Sequence, residues 1–121
     1  MQHASKAYAN IAKETASPRE LEATLLLKAA AKMQAVHDKW DDKPNDLDEA
    51  VLYNRRLWTV FIDAVLRDDS SLPVAVRQNL ANLGVFVMNQ TFSLMTSPLR
   101  TNLVSLIKIN REIAAGLRGN G

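Results

Sequence analysis

The sequence has no cysteine, and histidine, glycine, proline and aromatic residues are scarce. Its 121 residues include two histidines, four glycines and four prolines, and aromatic residues make up 6%. Without cysteine the chain has no disulfide bridge, thiolate metal ligand or cysteine nucleophile. No apolar run approaches the ~20 residues that cross a bilayer, and the N-terminus lacks the apolar segment of a secretory signal. We therefore expect a cytoplasmic protein that does not insert into membranes.

The composition is that of an ordinary globular protein. Apolar residues make up 47% of the chain and charged residues 23%, which is unlike the polar composition of disordered chains. A chain of this length can form one hydrophobic core but not two ordinary domains. We expect residues 1–121 to form a single domain.

Positive charge is spread along the chain and not concentrated in one place. The formal net charge is only +2, and the chain after residue 69 has five basic residues against one acidic residue. Proteins that bind nucleic acid usually present a dense basic stripe interleaved with aromatic residues. The sequence therefore favours neither DNA binding nor direct RNA binding.

Two helices are predicted in the first half of the chain. Ser17, Pro18 and Glu20 supply an N-cap serine, a proline at the first helical position and a capping-box glutamate. A helix should therefore begin at Pro18 and end before the polar stretch 41–45. Asp46 repeats the capping-box pattern with the glutamate three residues later, which predicts a second helix with one apolar face up to about residue 65.

Two further helices are predicted in the second half. After Leu72 and Pro73, apolar residues recur at three- and four-residue steps from Val76 to Leu94. Thr96-Ser97-Pro98 repeats the combination of cap and proline, and an apolar stripe continues to about residue 117. Residues 4–14 could add a short N-terminal helix. Short connections favour antiparallel neighbours, so we expect an all-α bundle of four main helices plus this short N-terminal helix.

The chain offers no convincing catalytic or metal site. His37 lies near Asp38, Asp41 and Asp42, but a solvated helix end explains this cluster better than a metal site does. The acidic run 38–49 lacks the ligand positions and central glycine of a calcium loop. There is no glycine-rich phosphate loop and no serine in a nucleophile elbow. We expect a protein that is not an enzyme and needs no cofactor.

Two asparagines interrupt apolar stripes. Asn54 lies between Val51 and Trp58 on the second predicted helix, and Asn110 lies on the last one. An unpaired buried amide costs about 1–3 kcal/mol, so both should find hydrogen-bond partners across the bundle or on the backbone. We expect these asparagines to fix the register of the helices.

The residues around these asparagines are candidates for binding a partner. Arg55, Arg56 and Arg111 could reach a partner's carboxylates, although ordinary surface salt bridges to Asp48, Asp63 or Glu112 are the favoured alternative. Trp58 and Phe61 are more often core residues than binding hot spots, but they can border a groove that receives a partner helix. The candidate partner-binding residues are Asn54, Arg55, Arg56, Trp58, Phe61, Asn110 and Arg111.

Four stretches of the sequence are informative when taken together. They are residues 17–22 (SPRELE), 54–58 (NRRLW), 82–87 (NLGVFV) and 106–117 (LIKINREIAAGL). In this order they resemble the FlaF family of bacterial flagellar biosynthesis regulators. The resemblance implies a cytoplasmic factor needed for flagellin synthesis and secretion. It also implies a flagellin-binding chaperone that works in opposition to FlbT, a regulator of flagellin mRNA. The family supplies no catalytic residue.

Three modes of action fit this resemblance. The protein could shield an amphipathic flagellin helix in a groove of the bundle. It could instead act post-transcriptionally on flagellin mRNA, directly or together with FlbT. It could also be an adaptor that joins FlbT to flagellin or to the flagellar export apparatus. Of these, the helix-packing chaperone is our leading hypothesis.

Overall fold

Four α-helices account for most of the described chain. The computed structural model describes residues 17–40, 45–67 and 70–119. Its helices are α1 (Pro18–Asp38), α2 (Asn45–Val65), α3 (Val74–Thr96) and α4 (Arg100–Leu117). These ranges contain no strand, which confirms the all-α class and the four main helices. The predicted N-terminal helix at residues 4–14 lies outside the described residues.

The serine cap of α1 and the proline in its first turn form as the sequence predicts. The Ser17 hydroxyl accepts a hydrogen bond from the backbone N–H of Arg19 at 3.2 Å, and Pro18 occupies the first helical position. The Ser17 carbonyl accepts from the backbone N–H of Leu21 at 3.2 Å. Together these contacts satisfy donors that a helix N-terminus otherwise leaves open.

Two predicted helix caps are wrong. α2 begins at Asn45, one residue before the predicted cap, so Asp46 lies in the first turn, where its charge favours the positive end of the helix dipole. Ser97 ends α3 and does not begin α4: its backbone N–H donates to the carbonyl of Ser93 at 2.8 Å. The N-cap of α4 is Leu99, which has no side-chain cap.

The helices pack in cyclic order, each antiparallel to the next along the chain. α1 packs most extensively against α4 and also contacts α2, while α3 lies between α2 and α4. Two contacts show that α4 runs antiparallel to α1. Arg118, just after α4, lies 3.3 Å from Glu20 near the start of α1, and Arg111, earlier in α4, donates to Gln34 near the end of α1 at 3.2 Å. This is the arrangement that short connections favour.

The core lies along the bundle axis and is built from all four helices. Trp58 is the largest fully buried side chain, and its ring meets that of Phe61 edge-on, with centroids 5.4 Å apart at 86°. The other core residues include Leu26, Met33, Val51, Val65, Val87, Leu94, Leu103 and Leu106. Within the described ranges, no helix has both the length and the apolar character to span a bilayer.

Candidate functional site

A buried hydrogen-bond network joins three of the four helices. Asn110 of α4 accepts a hydrogen bond at Oδ1 from the indole Nε1–H of Trp58 at 2.9 Å. Its Nδ2 group donates to Asn54 Oδ1 at 2.8 Å and to the carbonyl oxygen of Leu26 at 3.1 Å. One amide thus connects α1, α2 and α4, and the prediction that both asparagines face the interior and find partners is confirmed.

The two asparagines are not equivalent in this network. Asn110 uses both of its polar atoms, whereas Asn54 Nδ2 is buried without a hydrogen-bond partner. A buried donor left unpaired carries a desolvation cost of about 1–3 kcal/mol. Asn110 is therefore the centre of the network, and Asn54 contributes mainly an acceptor.

The predicted partner-binding residues divide into a buried set and an exposed set. Asn54, Trp58, Phe61 and Asn110 are at most 2% exposed, so in this fold they support the surface and do not form it. Partner binding through these four residues would need the bundle to open.

The arginines of the predicted site form the exposed set. Arg111 donates to Gln34, while the side chains of Arg55 and Arg56 have no ion-pair partner within the part of the chain that the structure describes. Asp63 pairs with Arg67 at 3.3 Å. The arginines therefore stay available to a partner, and partner binding by them stays a prediction.

Titratable groups of the described residues form local pairs and no metal site. There is no cluster of three or more histidine, cysteine, aspartate or glutamate residues in the described ranges. Burial raises the pKa of Glu22, although the Arg19 guanidinium, 2.8 Å from its carboxylate, partly offsets this effect. Hydrogen bonds from Gln34 and His37 lower the pKa of Asp38. Both pairs lie within α1.

Helix α3 exposes apolar side chains to solvent along one side. Phe92 is 70% exposed, Val74 70%, Val85 62% and Met95 41%. Half-buried Ala81 and Met88 lie between them. Arg77 is the only charged residue of the helix. Exposed apolar side chains grouped along one side of a helix make that side a candidate interaction surface.

These residues follow a heptad spacing. Successive steps of four and three residues define what we call the outer face of α3: Val74, Gln78, Ala81, Val85, Met88, Phe92 and Met95. Steps of this kind place side chains in one stripe that a second helix can pack against. The stripe predicted for α3 is the other one, from Val76 to Leu94. Its residues Leu80, Val87, Thr91 and Leu94 are buried, whereas Val76 is 40% exposed. The same spacing in the sequence would have revealed the outer face.

The outer face continues toward α2. α2 and α3 approach closely at Gly84, where an added Cβ atom would lie 3.0 Å from Ile62 Cγ1. In this antiparallel register Arg55, two turns before Ile62, lies level with Thr91, two turns after Gly84. Because Arg55 and Ile62 are seven residues apart and so share one side of α2, we expect Arg55 to lie beside the C-terminal half of the outer face.

Comparison with known proteins identifies the family. A sequence model described as flagellar protein FlaF matches residues 4–117. The chain belongs to the FlaF family. No curated protein and no solved structure matches it significantly. The match covers all four helices, so the buried network and the outer face both lie within the FlaF homology region.

The stretches that resemble the FlaF family have distinct structural roles. Residues 54–58 and 106–117 supply the three side chains of the buried network. Residues 82–87 supply Gly84, at the close approach of α2 and α3, and Val85, on the outer face. The FlaF-like motifs thus hold the bundle together and shape one exposed surface.

Proposed function

We propose that this FlaF-family protein is a flagellin-binding chaperone that regulates flagellin production and export, and that it works by binding and not by catalysis. It holds a helical, apolar segment of flagellin against the outer face of α3. The observation that carries this proposal is the uncharged, solvent-exposed heptad stripe of that face. An amphipathic helix recognises such a stripe through apolar anchors at spacings of three and four residues.

The size of the exposed side chains makes this face a plausible source of binding energy. Burial of a side chain such as Val, Met or Phe is worth about 1.5–3 kcal/mol relative to full exposure. With Val74 at the first residue of the helix, Phe92 and Val85 are the most exposed large apolar side chains of the face. They should act as anchors, with Arg55 pairing an acidic residue of flagellin at the rim.

The buried network would contribute by holding together the three helices that form the framework for α3. Asn110 ties α1, α2 and α4 together, and α3 packs against α2 at Gly84. A framework that is already ordered loses less conformational entropy on binding than a mobile one. The buried asparagines would therefore affect client binding through the framework and not through contact.

Titration of purified flagellin tests the proposal. Phe92→Asp and Val85→Asp should each weaken binding by about tenfold or more, because each places a charge in an apolar contact. Val60→Asp is the matched control: Val60 is 68% exposed and lies two residues before Ile62, on the opposite side of α2. It should leave affinity unchanged.

Absence of a complex with the unaltered protein at micromolar concentrations would refute flagellin binding. Equal effects of all three substitutions would refute the assignment of the surface. Binding to FlbT or to the export apparatus is a separate prediction, and capture of either by the protein in the absence of flagellin would support the adaptor role.

A further inference from the structure

We infer that the outer face of α3 pairs with the same face of a second copy of this chain, as an antiparallel helix pair about a two-fold axis. The face contains no charged side chain, and it is complementary to itself in length and in side-chain size. A closed two-fold contact of this kind is the commonest symmetry of soluble oligomers.

Charge is the first argument for a second copy. The outer face contains no ionisable side chain, and Arg77, the single charge on α3, lies near the N-terminal end of the helix. In an antiparallel pair the two copies of Arg77 lie at opposite ends of the contact, so they do not repel each other. A parallel pair would bring them together.

Side-chain size is the second argument. Antiparallel heptad packing with Val85 opposite Met88 of the second copy also places Ala81, the smallest residue of the face, opposite Phe92, the largest. The same register places Gln78 opposite Met95. Each large, exposed side chain therefore meets a smaller or flexible one.

The extent of the contact is the third argument. The outer face runs from Val74 to Met95, a helical length of about 32 Å. Pairing would bury the most exposed apolar side chains of α3 at once, which is the expected fate of such a patch.

This pairing has a consequence for regulation that rests on the proposed function. If flagellin uses the outer face, flagellin and the second copy compete for it. The apparent affinity for flagellin should then fall as the concentration of the protein rises, because flagellin must displace the second copy.

Sedimentation velocity of the purified, full-length protein alone tests the pairing. We expect the mass of a dimer at high micromolar concentration, and monomer for Phe92→Asp at the same concentration. Val60→Asp should remain a dimer. Circular dichroism confirms that each variant keeps its helical content. A monomer at every concentration for the unaltered protein would overturn the inference.

A charge exchange tests the antiparallel register. Met95→Glu alone should weaken the dimer at least tenfold, and adding Gln78→Lys in the same chain should restore it in a salt-sensitive way. The two positions are about 26 Å apart along one helix, so their charges can pair only between copies. A double variant as weak as the single one would overturn the register.

The two proposals fail in different ways. A monomer that binds flagellin with the Phe92-dependence described above would overturn the pairing and leave the proposed function intact. A dimer that forms no complex with flagellin would support the pairing and overturn the proposed function.

Discussion

Replacing Asn110 with alanine should be far more costly than replacing Asn54 with leucine. Asn110→Ala removes hydrogen bonds to the Trp58 indole, to Asn54 Oδ1 and to the carbonyl of Leu26. It leaves the buried Trp58 N–H and the amide of Asn54 without partners. Each unsatisfied buried group costs about 1–3 kcal/mol, and the truncated side chain adds a small cavity.

The magnitude follows from these contacts. We expect Asn110→Ala to lower the free energy of unfolding by about 3–5 kcal/mol, a large part of the roughly 6–18 kcal/mol expected for 121 residues. Asn54→Leu loses one accepted hydrogen bond, but it also removes the unpaired Nδ2 donor. Asn110 Nδ2 keeps its hydrogen bond to the carbonyl oxygen of Leu26. Asn54→Leu should therefore lower the free energy of unfolding by about 1–2 kcal/mol.

Urea unfolding followed by circular dichroism measures both free energies. An unchanged slope of the free energy of unfolding against urea concentration would show that the variants expose the same surface on unfolding. Asn79→Ala, at an exposed position of α3, is the control and should change stability by less than about 0.5 kcal/mol. Equal losses for Asn110→Ala and Asn54→Leu would refute the assignment of Asn110 as the centre of the network.

Three further predictions concern the two helical glycines and one partly buried carboxyl. Gly84→Val should destabilise the bundle by about 1–3 kcal/mol, because branched atoms would collide with Ile62; no loss of thermal stability would contradict this. Gly116→Ala meets open space and should stabilise the protein by up to about 1 kcal/mol, seen as a higher midpoint of thermal unfolding. Because the folded-state pKa of Glu22 is raised, the contribution of this carboxyl to stability is greatest below its ordinary pKa and falls as the pH rises through the raised value. Glu22→Gln should make the free energy of unfolding depend less on pH in that range, because Arg19 only partly stabilises the charged form of Glu22. An unchanged pH dependence would contradict the role of this group.

Local signals in the sequence were enough to predict the helices. Ser17 and Pro18 act through contacts within one turn, so their effect can be read directly from the chain. The asparagines were recognisable because a polar residue at a core position has few alternatives to an internal partner. The prediction that Ser97 caps the start of α4 was wrong because a serine next to a proline can equally end a helix. Its backbone N–H donates to the carbonyl of Ser93 in α3.

The partners of Asn110 and the outer face of α3 were not predicted from the sequence. The first depend on contacts between distant residues, and the second is a further pattern within a helix already assigned one apolar stripe. The partners of Asn110 are 52–84 residues away along the chain, and no local pattern specifies them. On α3, the core stripe and the outer face overlap in sequence, and the remaining side of the helix contains the exposed polar residues Asn79, Asn82 and Asn89. A single search for an amphipathic face finds only one of them.

The buried network leaves one helix out. Asn110 fastens α1, α2 and α4 by side-chain hydrogen bonds, while the hydroxyl of Thr91, the buried polar side chain of α3, donates to the carbonyl of Val87 within its own helix. In the described residues, α3 is thus held mainly by apolar packing, which is non-directional and tolerates sliding and rotation. The bundle therefore consists of three helices joined by side-chain hydrogen bonds and a fourth helix, α3, that lacks such bonds to the network. The exposed apolar face lies on this fourth helix. Backbone amides of α3 should be the first of the four helices to exchange with solvent deuterium.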